Sequence, residues 1–200
     1  MRAAPAILVV TGAAGAGKTT LVGRLAALGL PGVGCYHFDA IGILSGAEMA
    51  ARFGSGEALQ AWALGEWIVR LARNEDGVWV AVLDAQVRPR AALDALARHG
   101  VVRAAVVLVD CAYAERNERL RGPRGQPELA TPQMDGWAAY LRGQADALDL
   151  PVLDTTATSP DEGVATLRTH LAALLEPTAR PDAAPQPGSG VGWMPNAPRR

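Results

Sequence analysis

The residues best suited to chemistry lie in a glycine-rich stretch near the N-terminus. Residues 12–19 fill every fixed position of the pattern G-x-x-x-x-G-K-[ST], the phosphate-binding P-loop. A β-branched, apolar run precedes the stretch and an amphipathic segment follows it, which predicts a strand, a phosphate loop and a helix. Successive backbone N–H groups of such a loop point at phosphate oxygens, with the positive end of the helix behind them. The predicted phosphate contacts are Gly12, Ala13, Ala14, Gly15, Ala16, Gly17, Lys18, Thr19 and Thr20.

The lysine of this motif is the only lysine in the chain, and the other eighteen residues of the Lys and Arg total are arginines. We expect Lys18 to reach the β- and γ-phosphates as a compact charge, where a planar guanidinium would not fit. The Thr19 hydroxyl is predicted to hold Mg²⁺. A guanine-reading N-K-x-D motif is impossible without a second lysine, so the sequence favours ATP over GTP. The alternative, a chance Gly/Ala-rich turn, does not explain why motif and context agree.

A carboxylate beside the P-loop is the usual second contributor to a magnesium site, and it follows an apolar strand. Two residues fit this position: Asp84 after the run Val78–Leu83 and Asp110 after the run Val102–Val109. We favour Asp84, because P-loop kinases commonly use their third strand for this purpose. Either residue could instead cap a helix, and this alternative is stronger for Asp110, where a helix begins just beyond it.

Asp39 is the candidate for contact with an acceptor substrate. It ends the second predicted strand in the run His37-Phe38-Asp39, across the expected cleft from the phosphates. There its carboxylate could accept the proton of a substrate hydroxyl. The alternative is that Asp39 only caps the short segment that follows.

A cluster of arginines follows the fourth predicted strand. Several cations near a γ-phosphate could neutralise the charge that shifts during transfer. Two of them are three residues apart on one helix face, and two flank a Gly-Pro break, which favours a mobile lid. Intervening glutamates favour the alternative, a mixed surface helix. The predicted lid arginines are Arg116, Arg119, Arg121 and Arg124.

These residues must be positioned by strands and helices that alternate five times along the chain. The predicted strands are Ala6–Thr11, Val33–Phe38, Val78–Leu83, Val102–Val109 and Val152–Asp154. The predicted helices are Lys18–Leu28, Ala58–Arg73, Ala91–Arg98, Tyr113–Arg121, Pro132–Leu148 and Asp161–Leu175. The expected fold class is α/β, three layers with a doubly wound, five-stranded parallel sheet and the P-loop after strand one. Ligands bind such sheets at the carboxyl ends of the strands, where the candidate residues meet.

Composition limits the classes of function. Half of the residues are apolar and a fifth are charged, and the net charge of −1 gives no sign of general nucleic-acid binding. No apolar run approaches the length of a membrane helix, and we expect no signal peptide because the first predicted strand begins within a few residues of Met1. We expect Cys35 and Cys111 to be reduced thiols in a cytoplasmic protein, and we expect a monomer or homodimer.

The chain is expected to contain one P-loop domain, residues 1–176, and a disordered tail, residues 177–200. The tail is rich in Pro, Gly and Ala and has few apolar residues with which to bury itself. Within the domain, Gly42–Gly56 and the helix that carries Trp62 and Trp67 are expected to form the acceptor side.

The chain resembles the nucleoside-monophosphate-kinase-like branch of P-loop kinases in five features. These are the P-loop, the Asp after strand two, the apolar strand ending in Asp, the arginine-rich lid and a late Asp-Thr-Thr. Chloramphenicol phosphotransferase, shikimate kinase and gluconate kinase are similar in layout, over residues 5–175. The resemblance implies ATP and Mg²⁺ as cofactors and Asp39 as the residue that binds or deprotonates the acceptor. It also implies that Thr155 and Thr156 lie near the adenine.

The leading hypothesis is an ATP-dependent phosphotransferase that acts on a hydroxyl of a small molecule. A nucleoside monophosphate kinase is the alternative within enzymes. A third hypothesis is an ATP-binding regulatory switch, or AAA-like ATPase, that acts on a protein partner. Turnover that depends on an added acceptor would favour a kinase, and turnover that responds only to a protein partner would favour the switch.

Overall fold

Five short, mostly apolar runs form one parallel sheet in the computed structural model, which describes residues 4–41 and 53–176. The strand order is β2-β3-β1-β4-β5, and each neighbouring pair is parallel. Strands β1 and β3 are buried along their whole length because helices cover both faces of the sheet. The predicted five-stranded α/β fold is therefore confirmed. The strands are β1 (Ala6–Thr11), β2 (Val33–His37), β3 (Val80–Asp84), β4 (Ala104–Asp110) and β5 (Val152–Asp154).

Six helices and two short 3-10 segments accompany the strands within the described residues. Ser55, Thr131 and Ser159 begin three of the helices, because each side chain accepts a hydrogen bond from a backbone N–H of the first turn. The 3-10 segments are Phe38–Ile41 and Pro127–Leu129. The helices are α1 (Lys18–Ala27), α2 (Gly56–Arg73), α3 (Pro89–Arg98), α4 (Tyr113–Arg121), α5 (Pro132–Ala147) and α6 (Pro160–Leu175).

Two strands begin two residues later than their apolar runs predict. The backbone N–H of Val78 does not join the ladder but donates a hydrogen bond to Oδ1 of the Asn74 side chain at 2.8 Å. Trp79 is 61% exposed and Val102 is 96% exposed, so both apolar residues lie outside the buried part of the sheet. An apolar run therefore predicts the approximate position of a strand, whereas the backbone hydrogen bonds to the neighbouring strand determine its first residue.

The core consists of layers on the two faces of the sheet. Helices α1 and α6 pack on one face, against alternate residues of β1 and β3 such as Leu8, Val10 and Val82. Helices α2 and α3 pack on the other face, against Ile7, Val9 and their neighbours, and α5 packs there against Leu108 of β4. Because side chains alternate across a strand, each strand residue is assigned to one layer by its parity.

The P-loop follows β1, the central strand, so that it lies between the ends of β3 and β4. In the sheet register, Val10 is level with Asp84, and Thr11 is level with Leu108. The carboxyl ends of all five strands therefore share one edge, as expected for ligand binding in such sheets.

Both cysteines are free thiols, in agreement with the sequence prediction. Burial raises the pKa of each thiol above its ordinary value. None of the helices in the described ranges has the length and apolar character needed to cross a bilayer. Residues 42–52 of the expected acceptor segment Gly42–Gly56, and the tail from Pro177, lie outside the described residues.

Candidate functional site

The phosphate loop is shaped by two glycines that no other residue could replace without movement. Gly12 has φ of 151°, and a Cβ there would lie 2.1 Å from the carbonyl oxygen of Val109. Gly15 has φ of 81°, and a Cβ there would lie 2.8 Å from Cγ of Arg116. Positive φ and the lack of a side chain together let the loop wrap a phosphate closely. The chain runs from this loop directly into α1, whose first residue is Lys18.

Lys18 is buried, with a relative exposure of 7%, and its Nζ donates to the carbonyl oxygen of Ala13 at 3.0 Å. Burial lowers the pKa of Lys18 to about 8, against an opposing effect of the Asp84 carboxylate. The charges of Arg124 and Asp39 also act on this pKa, in opposite directions. Three of the charged residues predicted for the site therefore lie close enough to Lys18 to influence its charge.

Thr19 and Asp84 are brought together at the predicted metal position. The Thr19 hydroxyl donates to Oδ2 of Asp84 at 2.7 Å, and Nδ1 of His37 lies 3.2 Å from the same oxygen. Asp84 is 7% exposed. A hydroxyl and a carboxylate are hard oxygen ligands, and Mg²⁺ takes only one or two such groups from the protein beside substrate phosphates and water. The residues present fit a magnesium ion.

Asp110, the other metal candidate, faces a different helix. Its carboxylate lies 3.6 Å from Nη1 of Arg142 on α5, and its backbone oxygen accepts from the N–H of Thr155 at 2.8 Å. Asp110 follows Leu108 by two residues and so shares its face of the sheet, the α5 face. Asp84 follows Val82 by two residues and so shares the α1 face. The geometry thus favours Asp84 over Asp110 as the partner of Thr19.

Asp39 lies in the 3-10 segment that directly follows β2, and its side chain is exposed. Its negative charge acts to raise the pKa of Lys18. The backbone before it is held by Trp67, whose indole N–H donates to the carbonyl oxygen of Phe38 at 2.8 Å. Asp39 is therefore an accessible carboxylate on a fixed backbone near the P-loop lysine.

The four predicted lid arginines separate into different environments. Arg116 is 3% exposed and forms an ion pair with Asp135 of α5, while its side chain and backbone lie directly against the Gly15 position of the loop. Its Nε is buried and has no hydrogen-bond partner among the described residues. This burial favours positioning of the P-loop over direct contact with a transferred phosphate.

Arg119 lies at the other flank of the loop, beside Thr155. Its Nη1 donates to Oγ1 of Thr155 at 2.9 Å and its Nη2 donates to the Thr155 backbone oxygen at 2.7 Å. Thr155 in turn donates to the carbonyl oxygen of Ala16 at 2.8 Å. A small cavity of about 170 Å³ opens here between Gly17, Arg119 and Thr155. Thr155, one of the two residues that the resemblance places near the adenine, lines this cavity.

The remaining predicted residues, Arg124, Arg121 and Thr156, lie in three different surroundings. Arg124 is exposed, donates to Gln126 and lowers the pKa of Lys18 through its charge. Arg121 is exposed and lines a surface depression with residues of α4 rather than of the P-loop. Thr156 accepts a hydrogen bond from the N–H of Ala112 at 2.8 Å, so that it ties the loop after β5 to the start of α4.

A larger cavity of about 780 Å³ opens on the α5 side of the P-loop. Its walls come from the start of α2, the loop after β3, the segment Pro127–Leu129 and α5. The loop after β3 is fixed to the end of β1, because the Val87 N–H donates to Oγ1 of Thr11 at 3.2 Å. Three lining residues that the sequence did not single out are Arg88, Trp137 and Tyr140. Nothing local in the sequence distinguishes these side chains from surface or core residues.

His37 is a further residue of the site, because its Nδ1 lies beside the Asp84 carboxylate. It is level with Asp84 in the β2–β3 register. Its place directly before Phe38-Asp39, at a strand end, was the available signal. Cys111 was also missed as a neighbour of the loop: its Sγ lies 3.9 Å from the carbonyl oxygen of Gly15.

Comparison with known proteins finds no protein-family model and no curated sequence that matches the chain. Solved structures do match. Shikimate kinase from Acinetobacter baumannii in complex with shikimate has a TM-score of 0.56 at 16% identity, over 86% of this chain and 96% of that chain. A gluconokinase from Sinorhizobium meliloti 1021 has a TM-score of 0.56 at 21% identity, over 86% and 95%. A sugar kinase from Janibacter sp. HTCC2649 has a TM-score of 0.55 at 22% identity, over 85% and 98%. The chain therefore has the fold of the small-molecule P-loop kinases.

Proposed function

We propose that the protein is an ATP-dependent phosphotransferase that moves the γ-phosphate of ATP to a hydroxyl of a small molecule. The observation that carries the proposal is the arrangement around Lys18. A buried lysine in a glycine-shaped loop adjoins the Thr19–Asp84 pair, and the charges of Asp39 and Arg124 act on it. This set supplies phosphate binding, a metal position, a candidate base and a further cation.

ATP would supply the phosphoryl group, and Mg²⁺ would neutralise charge between the β- and γ-phosphates. Lys18 and the loop amides would hold the phosphates in line with the acceptor. Thr19 and Asp84 would position the metal. Asp39 would take the proton of the acceptor hydroxyl as the hydroxyl oxygen forms a bond to the γ-phosphorus. The bond between that phosphorus and the oxygen that bridges it to the β-phosphate would break, and ADP would leave.

Arg119 and Arg124 would contribute positive charge beside the phosphates. We assign Arg119 to the nucleotide side, because it is bonded to Thr155 next to the smaller cavity. We assign Arg124 to the transferred group, because its charge acts on Lys18. Arg116 would act by supporting the loop.

The test is ATP consumption against pooled hydroxylated metabolites, with ADP and phosphorylated acceptor both measured. We expect the wild-type protein to turn over ATP faster with an acceptor, and Lys18→Met to lose this activity by about 10³-fold. A rate that no acceptor changes, but that a protein partner raises, would overturn the kinase and favour the regulatory ATPase.

A second experiment separates the base from the metal ligand. Asp39→Asn should keep near-normal affinity for ATP–Mg²⁺ and background hydrolysis, but lose acceptor-dependent transfer by roughly 10²–10⁴-fold. Asp110→Asn is the matched control, since it also replaces a strand-end carboxylate. If Asp39→Asn lost ATP–Mg²⁺ binding together with transfer, Asp39 would be a metal-site or structural residue.

A further inference from the structure

The described charged residues in the lining of the 780 Å³ cavity are Glu57, Arg88 and Glu128. The volume of this cavity lies within the range of about 300–1,000 Å³ that is usual for small-molecule sites. We infer that it binds the acceptor of the proposed reaction, and that this acceptor is a ring-bearing hydroxylated molecule, neutral or cationic, with neither a carboxylate nor a phosphate. The inference rests on the proposed function for the identity of the bound molecule as acceptor.

The position of the cavity connects it to the phosphate loop. Val87, in the wall between Gln86 and Arg88, exchanges two hydrogen bonds with the Thr11 side chain, one residue before the loop begins. Trp137 of α5, another lining residue, packs against the cluster that contains Ala13 of the loop. Two parts of the cavity wall are therefore tied to the region of the P-loop: the loop after β3 through Thr11, and α5 through the cluster that contains Ala13.

The aromatic wall indicates a ring. Trp137 and Tyr140 are stacked, with ring centroids 5.6 Å apart and an interplanar angle of 24°. Tyr140 remains 46% exposed, so that part of this face is open. The flat apolar side of a sugar or a heterocycle packs well on such a face.

The charged wall disfavours an anion. Arg88 is the only cation among the lining residues that the structure describes, and its guanidinium is partly engaged. It lies 5.2 Å above the Trp137 ring, donates to Oε1 of Gln60 at 3.2 Å, and has its Nε 3.9 Å from Glu57. Recognition of a carboxylate or a phosphate would need an open guanidinium fork. Among the described lining residues, Glu57 and Glu128 outnumber Arg88, so their net charge is negative, which favours amines over acids.

Neutral polar groups complete the lining and suit hydroxyls. The side chains of Gln86, Thr131 and Gln133 offer donors and acceptors.

The experiment measures binding by ligand-observed NMR, with the protein saturated by Mg²⁺ and a non-hydrolysable ATP analogue. The probes are matched by ring and differ in charge: glucose, glucosamine and glucuronate in one set, uridine and uridine monophosphate in the other. We expect the neutral and amine members to bind at least about fivefold more tightly than the anionic members. Trp137→Leu and, at a more exposed position, Tyr140→Leu should weaken binding by about three- to tenfold. Trp79→Leu, an exposed tryptophan outside this cavity, is the control and should change nothing.

Tighter binding of the anionic members, no binding by any probe, or binding unaffected by both cavity variants would each overturn the inference. Replacing Glu57 and Glu128 together by Gln should reduce the preference for glucosamine over glucuronate, and an unchanged preference would also count against it. Transfer is measured separately. A probe that binds through Trp137 but receives no phosphate would count against the kinase and leave the cavity as a binding site. An acceptor whose KM is the same in wild type and Trp137→Leu would sustain the kinase and overturn the cavity inference.

Discussion

Binding of ATP should add a proton to Lys18 at alkaline pH. Burial lowers the pKa of this lysine from 10.5 to about 8 in the nucleotide-free protein. Phosphate oxygens placed beside the ammonium would favour its charged form and raise the pKa again. A lysine that is partly neutral before binding and charged afterwards must take a proton from the solvent.

The size of this uptake follows from the two pKa values. At pH 8.5, a group with a pKa of about 8 is neutral in roughly three quarters of the molecules, so that binding should take up about 0.7 proton. At pH 7 only about a tenth of the molecules are neutral, and the uptake should fall to about 0.1 proton. ATP affinity should accordingly decrease as the pH rises above 8.

The same shift links the stability of the nucleotide-free protein to pH. Between pH 8 and 10.5 the unfolded chain binds more protons at Lys18 than the folded protein does, so the contribution of this group to stability rises with pH across that window. Below pH 8 the full cost of burying the charge is present, about 3 kcal/mol for a shift of this size. Lys18→Met should therefore raise the free energy of unfolding at pH 7, and this gain should shrink towards pH 10.5.

The assay is titration calorimetry in pairs of buffers with different ionisation enthalpies, at pH 7 and 8.5 with excess Mg²⁺, together with chemical unfolding of both proteins. Proton uptake near zero at both pH values in the wild type would refute the reasoning. So would a Lys18→Met variant that is less stable than the wild type at pH 7, because either result would mean that the buried lysine carries its charge without cost.

Three further predictions concern the loop and its supports. Asp84→Asn should weaken the Mg²⁺ dependence and slow both transfer and background ATP hydrolysis, whereas Asp110→Asn should not; equal effects in rates measured over a Mg²⁺ titration would contradict the metal assignment. Gly15→Ala should lower stability by about 1–3 kcal/mol because its Cβ has no space, whereas Gly23→Ala, with nothing within 4 Å, should be neutral or stabilising in thermal unfolding. Arg116→Met should destabilise the protein by about 3 kcal/mol, since it removes the buried partner of the Asp135 carboxylate. An Arg116→Met protein with unchanged melting temperature but no transfer would instead mean contact with the phosphate.

Much of the fold could be predicted from local patterns, because strands and helices here alternate with clear breaks. Helix α4 and strands β1 and β5 have the bounds that the sequence predicted. The starts of β3 and β4 were placed two residues early, since hydrophobicity does not reveal where a ladder of hydrogen bonds begins. Exposed Val102 and Trp79 show that an apolar side chain beside a strand can remain in solvent.

The sequence by itself determined the phosphate loop, because all of its groups lie within a few residues of one another and their spacing is fixed by covalent geometry. Lys18, Thr19 and the glycines needed no long-range contact to be recognised. The same is true of the sheet class, which follows from the order of strands and helices.

Only the tertiary structure decided which distant side chains meet the loop. Asp84 and Asp110 end equivalent apolar strands, and the sequence left both open as partners of Thr19. Parity within each strand turns Asp84 towards α1 and Asp110 towards Arg142 on α5, and the sequence does not say which helix covers which face. The lid arginines are likewise indistinguishable in the sequence but differ in their packing. Arg116 is buried under the loop, and Arg119 is hydrogen-bonded to Thr155 at the flank of the loop.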